Sequence, residues 1–135
     1  MTRSLIHKVG LAIIKDRKVL LVREHGVSVW FIPGGRIKEG EERLAALSRE
    51  TREELGAELD TSSLDLLGVF KDAAAGRPNT DVEIHLYKGL AKEPYRASSE
   101  IAELGWFNTQ SDQAVLSDIV KNRLVPALRE AGLID

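Results

Sequence analysis

Three glutamates, Glu50, Glu53 and Glu54, lie close together in a stretch with helical periodicity. At roughly 100° per residue they occupy one side of the helix, spread over about 100°. Carboxylates at this spacing repel one another unless a cation neutralises them, and Mg²⁺ is commonly held by a few carboxylates together with substrate phosphates. The pattern indicates a divalent-cation site, and a solvated helix face is the alternative.

A pair of glycines precedes this helix. Pro33-Gly34-Gly35 predicts a turn or loop in which the backbone can come close to a ligand and offer a carbonyl to a metal. The helix is predicted from about Glu41 to Leu55, with Glu41 and Glu42 at its positive end and Gly56 just past its last turn. Its core-facing stripe is predicted to be Leu44, Leu47, Thr51 and Leu55.

The other elements must position this helix. Two apolar runs predict a tight hairpin of strands covered on both faces, and the chain ends in a helix kinked or restarted at Pro126. The predicted strands are Val9 to Ile14, Val19 to Val22, Trp30 to Ile32, Leu64 to Phe70, Val82 to Tyr87 and Gly105 to Phe107; a loop is predicted at Ala75 to Asp81 and the last helix at Ser117 to Gly132. Such an order predicts an α/β sandwich.

The length and composition of the chain exclude several classes of protein. The 135 residues predict a single domain over residues 1–135, and the net charge of −2 without a basic stripe argues against a nucleic-acid polymer as partner. The absence of cysteine excludes thiolate nucleophiles and cysteine-based zinc sites. Short apolar runs and a start without signal-peptide features predict a cytoplasmic protein without a membrane span.

Seven residues stand at the spacing of a known motif, a Gly, five residues, a Glu, seven residues, Arg-Glu, two residues, Glu-Glu, one residue and Gly. They are Gly35, Glu41, Arg49, Glu50, Glu53, Glu54 and Gly56. Seven such matches arise by chance about once in 10⁹ starting points at average residue usage. The chain therefore resembles the Nudix hydrolases, in particular the small MutT type. Thr51 and Ala57 depart from the family pattern, which usually has bulky aliphatic residues there.

The resemblance implies a Nudix-type α/β/α sandwich with a mixed β-sheet between helices. It also implies Mg²⁺, with Mn²⁺ as the alternative, held by Glu50, Glu53, Glu54 and the carbonyl of Gly35. Arg49, grouped here with the catalytic residues, and Glu41 are similar to family positions that brace the loop against the helix.

Two further roles follow from the resemblance. The general base is either a helix glutamate or Glu100, which looks like the loop carboxylate that some relatives use; an ordinary loop acid is the alternative. Arg23 resembles a position that contacts the nucleotide in some relatives, and a solvated strand-end cation is its alternative. Gly34 and Gly35 are expected beside the substrate.

The implied reaction is hydrolysis of a phosphoanhydride bond in a nucleoside diphosphate derivative. The chain has neither a Gly-x-Ser-x-Gly elbow nor the Gly-Lys-Ser/Thr ending of a P-loop. A (d)NTP pyrophosphohydrolase is favoured because the flanking markers of other subgroups are absent. ADP-ribose or a nucleotide sugar as substrate, and a non-catalytic nucleotide sensor, are the alternatives, and a homodimer stays open.

Overall fold

The computed structural model describes residues 2–74 and 76–135 of the chain. Seven strands, a long helix and a composite C-terminal helix follow one another along these residues. The elements are β1 (Ser4–Ala12), β2 (Ile14–Lys15), β3 (Lys18–Glu24), β4 (Gly34–Arg36), α1 (Arg43–Leu55), β5 (Leu59–Ala73), β6 (Thr80–Ala91), β7 (Ile101–Phe107), a 3₁₀ turn (Gln113–Val115), a π-helical segment (Val120–Leu124) and α2 (Val125–Glu130).

The strands form two sheets. A four-stranded sheet has the order β4-β1-β6-β5, in which β1 and β6 are parallel and the other pairs antiparallel, and a three-stranded antiparallel sheet has the order β2-β3-β7. Two apolar clusters pack on opposite sides of the strands, one including residues of α1 and the other residues of the C-terminal helix. The predicted α/β sandwich with mixed strand directions is confirmed, although its strands divide between two sheets.

The predicted hairpin is confirmed only at its turn. Asp16 and Arg17 form the turn between β2 and β3, and both adopt positive φ angles. The apolar run from Val9 to Ile14, however, is split between β1 of one sheet and β2 of the other. A single apolar run therefore serves both sheets, which hydrophobicity alone could not reveal.

Two predictions around the glycine pair were wrong. Trp30 and Phe31 make only isolated bridges, to Leu116 and Val22, and do not belong to a strand. Gly34 and Gly35 lie in β4, opposite Gly10 and Val9 of β1. Gly34 has a φ of +140°, and a Cβ atom there would overlap the carbonyl oxygen of Val9. Gly34 therefore permits close pairing of β4 with β1, and the glycine pair does not form a turn.

Helix α1 begins at Arg43, two residues later than predicted, and ends where expected. Gly56 follows with φ 60° and ψ 28°, and its N–H donates to the carbonyl of Arg52, so the left-handed C-terminal glycine is confirmed. No acidic residue lies in the first turn, and Glu42 at the N-cap makes no side-chain hydrogen bond. The prediction that Glu41 and Glu42 open the first turn was wrong, because both precede Arg43 and Glu41 accepts hydrogen bonds from Arg49 instead.

The buried stripe of α1 consists of Ala46, Leu47, Thr51 and Leu55. Burial of Leu47 and Leu55, both fully inaccessible, contributes about 1.5–3 kcal/mol each. The prediction that Leu44 packs against the sheet was wrong, because its side chain in the first turn is 42% exposed. Three of the four predicted stripe positions thus anchor the glutamates of this helix to the core.

We expect Thr51→Val to stabilise the protein. Thr51 is 1% exposed, and its hydroxyl has no hydrogen-bond partner within the described residues. An unpaired buried hydroxyl costs about 1–3 kcal/mol, and valine keeps the shape without the polar atom. The free energy of unfolding, from urea titration, should rise by about 1 kcal/mol. Thr61→Val, at an exposed position of β5, serves as the control and should change little; a destabilised Thr51→Val variant would show that the hydroxyl is paired in solution.

The C-terminal helix contains the interruption predicted near Pro126. The Val125 N–H donates to the carbonyl of Val120, which widens the helix into a π turn over Val120–Leu124. Pro126, which has no N–H to donate, follows directly after this wider turn, in the first turn of α2. The helix therefore restarts at Val125 and buries Val125 and Leu128 against the sheet.

The remaining strands are present but longer than predicted. Strand β5 extends from Leu59 to Ala73. The prediction began it too late because the residues from Asp60 to Ser63 are polar and do not resemble a buried strand. The alternation of Val82, Ile84 and Leu86 is confirmed in β6. The loop was predicted from Ala75 to Asp81. Ala75 lies outside the described residues, and the last two residues of the predicted loop belong to β6, which begins at Thr80. No helix among the described residues is long and apolar enough to cross a membrane.

Candidate active site

Arg49 holds the segment before α1 against the helix. Its guanidinium donates to both carboxylate oxygens of Glu41 at 2.9 Å and to the carbonyl of Arg36 at 3.1 Å. A further N–H donates to Glu50 at 2.7 Å. Glu41 also accepts from the backbone N–H of Lys38 at 3.0 Å. The hydrogen bond from Arg49 holds the pKa of Glu41 at about 2, so this clamp keeps its charges over the whole physiological range.

Glu54 joins the helix to β4. Its carboxylate accepts from the backbone N–H of Gly34 at 2.8 Å. Burial, with smaller contributions from the neighbouring carboxylates Glu50 and Glu24, raises the pKa of Glu54 to about 8, against the opposing effects of the Gly34 N–H and the Lys8 ammonium. The protein alone therefore does not neutralise this carboxylate, and a proton or a cation must do so.

Glu50 lies against the backbone of Gly35. A Cβ atom on Gly35 would be 2.5 Å from the carboxyl carbon of Glu50 and 2.6 Å from one of its oxygens. Burial raises the pKa of Glu50, the hydrogen bond from Arg49 opposes this, and Glu53 and Glu100 add to the increase. The carboxylate thus occupies the space that a side chain at position 35 would need.

Alanine at Gly34 and at Gly35 should affect the protein in different ways. At Gly34 the new Cβ meets backbone in a left-handed conformation, so we expect a loss of about 3 kcal/mol or more in stability. At Gly35 it meets only the mobile end of Glu50, so the fold should survive while Glu50 is displaced. Thermal unfolding should therefore separate the two variants, and a Gly35→Ala variant with unchanged turnover would contradict the functional importance of this contact.

The carboxylates of α1 match a hard divalent cation in chemistry but are not arranged around one. Glu50 turns toward Arg49, Glu54 toward Gly34, and Glu53 points to solvent with its side chain 51% exposed. Across residues 2–74 and 76–135, no three acidic or histidine side chains are close enough to hold a metal ion as they stand. Carboxylate oxygens on one side of a helix nevertheless fit Mg²⁺ once their side chains reorient.

A cavity of about 380 Å³ opens beside these carboxylates. Glu54, Gly34 and Gly35 form one part of its wall, so the acidic helix and the cavity share residues. The rest of the wall comes mostly from β1, β3, β6, the segment before β4, the end of β5 with the residues after it, and the beginning of the C-terminal helix, and it is mainly apolar with a few charged side chains. Its volume is in the range of small-molecule sites. The arrangement can hold a small ligand with one end against the glutamates.

Arg23 and Glu100, like Arg49, Glu50 and Glu53, do not line this cavity. Arg23 donates to Glu103 at 2.9 and 2.6 Å and to the carbonyls of Glu24 and Val27, so its guanidinium is engaged within the protein. Glu100 lies in the turn before β7 and is exposed, but it is near enough to Glu50 to raise that residue's pKa. Their roles, nucleotide contact and general base, stay predictions.

Sequence reasoning missed the polar residues of the cavity. Lys8, Glu24, Ser117 and Asp118 all line it. One signal was available for Lys8, because it interrupts an apolar strand on the same face as Ile6 and Gly10. The others could not have been found, since only the packing of the C-terminal helix against the sheet brings them together.

Fold and site together define an α/β fold with an acidic helix beside a cavity of small-molecule size. The NUDIX domain model matches residues 6–123. A Bacillus subtilis (strain 168) protein named "Putative 8-oxo-dGTP diphosphatase" is 32% identical over 94 residues, which make up 68% of this chain and 58% of that protein. The chain therefore belongs to the Nudix hydrolase family, and the match extends over little more than half of this relative's length.

Solved structures agree with this membership. A MutT Nudix hydrolase from Burkholderia pseudomallei is 26% identical with a TM-score of 0.68, covering 93% of this chain and 97% of that one. The ORF135 protein of E. coli is 25% identical with a TM-score of 0.72, covering 98% and 96%. A MutT protein from Methanosarcina mazei Go1 has a TM-score of 0.78 at 20% identity, covering 97% and 98%, and shows the shared fold.

Proposed function

We propose that this protein is a Mg²⁺-dependent pyrophosphohydrolase of (deoxy)nucleoside triphosphates. The observation that carries the proposal is the shared wall of the acidic helix and the cavity, formed by Glu54, Gly34 and Gly35. A nucleotide bound with its base in the cavity would have its phosphates beside Glu50, Glu53 and Glu54. The B. subtilis relative, named as acting on an oxidised dGTP, supports a triphosphate as substrate.

In this proposal, residues of the chain would bind the cation, position its ligands and accept a proton. Glu50, Glu53 and Glu54, with the carbonyl of Gly35, would hold the cation. When bound, Mg²⁺ supplies polarisation of the phosphoryl oxygens and neutralisation of their charge. Arg49 and Glu41 keep the β4–α1 segment fixed so that these donors stay together. Glu100 is proposed as the group that accepts a proton from the attacking water, because it lies within electrostatic range of Glu50.

The experiment is a panel assay of phosphate and pyrophosphate release in Mg²⁺, in Mn²⁺ and in EDTA. The panel contains the eight common (d)NTPs, oxidised dGTP, ADP-ribose, a dinucleoside polyphosphate and a nucleotide sugar. Metal-dependent pyrophosphate release from triphosphates is the expected result. Hydrolysis confined to ADP-ribose or the sugar would contradict the substrate class, and tight nucleotide binding without any hydrolysis would favour a sensor.

A further inference from the structure

Lys8 occupies the boundary between the two ends of the cavity. It pairs in register with Arg36 of β4 and Ile84 of β6, and it lines the cavity. Alternate residues of a strand share a face and lie roughly 7 Å apart. On that face of β1, Gly10 lies opposite Gly34, whose N–H holds Glu54, and Ile6 on the other side lies beside Val82. Lys8 thus stands between an acidic end and an apolar end.

The ammonium group of Lys8 has no partner in the part of the chain that the structure describes, neither a hydrogen bond nor an ion pair within 4.0 Å. Its side chain is half-buried, and burial lowers its pKa, while Glu24, Glu54 and Glu50 favour its charged form. A partly desolvated cation without a partner costs free energy unless a ligand supplies one. Arg36 and Arg77, the other cations of the cavity wall, are exposed and solvated.

The opposite end of the cavity suits an uncharged group. Ile119 and Val120 of the C-terminal helix and Val82 of β6 supply apolar wall. The hydroxyl of Ser117, a residue that is 5% exposed, also lines this end and has no hydrogen-bond partner among the described residues. Asp118, between these residues in the chain, adds a carboxylate to the lining. A mainly apolar wall with a hydroxyl and a carboxylate fits a nucleobase, which offers hydrogen-bond donors and acceptors along its edge. A nucleotide with its base here and its terminal phosphates at the glutamates would place its first phosphate near Lys8.

We propose that Lys8 binds the phosphate group attached to the nucleoside, and so aligns the chain of phosphates with Glu50, Glu53 and Glu54. This inference rests on the proposed function and deepens it by assigning a substrate-binding residue outside the seven-residue motif of Gly35 to Gly56. An ammonium group contacts phosphate oxygens as a point charge and does not distinguish between bases. The contact should therefore contribute equally to the binding of every nucleotide.

The test compares Lys8→Met with Lys8→Arg and with Lys88→Met. Lys88 is a half-buried lysine of the neighbouring strand β6 that does not line the cavity, so it controls for loss of a strand lysine. For Lys8→Met we expect KM to rise about ten- to hundredfold, by the same factor for dATP, dCTP, dGTP and dTTP, with a smaller change in kcat. Lys8→Arg should recover part of the loss, and Lys88→Met should behave like the wild type.

A second measurement does not depend on hydrolysis. Titration calorimetry in EDTA gives the Kd of deoxynucleoside monophosphates, and Lys8→Met should raise this Kd by a factor similar to the rise in KM. An unchanged Kd and KM, a loss confined to one base, or a wild type that does not bind monophosphates would each overturn the assignment. A wild type that binds monophosphates through Lys8 but hydrolyses no triphosphate would refute the proposed function and leave Lys8 as the phosphate contact.

Discussion

Glu53→Gln should fold like the wild type and turn over its substrate at least about a hundredfold more slowly, a difference of about 2.7 kcal/mol in activation free energy. The side chain of Glu53 is 51% exposed, and its only ionic contact among the described residues is to Arg49 at 3.6 Å, so the fold loses little. The proposed cation, in contrast, loses a charged ligand. Turnover at saturating Mg²⁺ and the thermal midpoint should be measured on the same preparation.

Two comparisons make this result specific. Glu58→Gln removes an exposed carboxylate that pairs with Arg52 just beyond the helix, and its turnover should match the wild type. Because Glu100 is the proposed general base, Glu100→Gln should lower turnover about as much as Glu53→Gln, whereas a much milder loss would show that it is only a loop acid. Wild-type turnover in Glu53→Gln would remove this residue from the proposed site.

In metal-free buffer the free energy of unfolding should fall as the pH rises from about 4.5 to 8. Burial raises the pKa of Glu54 from 4.5 to about 8 in the folded protein, so the native state binds the proton more tightly than the unfolded chain. The stabilisation is complete below the unfolded pKa and is lost as the pH passes through the folded value. Burial of Glu50 acts in the same direction. The expected loss is on the order of a few kcal/mol.

Glu54→Gln supplies the control for this pH dependence. Its amide oxygen can still accept the N–H of Gly34, but it carries no titrating charge, so unfolding followed at several pH values in EDTA should show a flatter profile. Mg²⁺ should raise the thermal midpoint of the wild type more at pH 8 than at pH 6, because bound cation replaces the proton. Parallel pH profiles for variant and wild type would refute the assignment of this effect to Glu54.

The acidic helix was largely predictable because its position depends on residues that are close together in the sequence. Residue spacing identified the side of α1 that carries Glu50, Glu53 and Glu54, and a glycine after the last turn identified its end. The start of the helix was misplaced because Glu41 resembles a first-turn acid in sequence, whereas in the fold it accepts hydrogen bonds from Arg49 eight residues away.

Strand pairing was much less predictable because it depends on residues far apart in the chain. Nothing local to Gly34 shows that its neighbour is Gly10, or that β1 runs parallel to β6. For the same reason, the cavity could not be assembled from the sequence. The ion pair of Arg23 with Glu103, 80 residues later, was equally hidden.

The attachment of Glu54 to a main-chain N–H has a consequence for how this site tolerates sequence change. A side-chain partner can be lost by one substitution, but the amide of Gly34 is present whatever residues surround it. Substitutions in the neighbouring loop therefore leave the hydrogen bond between Gly34 and Glu54 intact as long as β4 stays paired with β1. The constraint falls instead on Gly34, where any Cβ atom would overlap the backbone of Val9 and Gly10, so a residue without a functional group limits which sequences can keep this site.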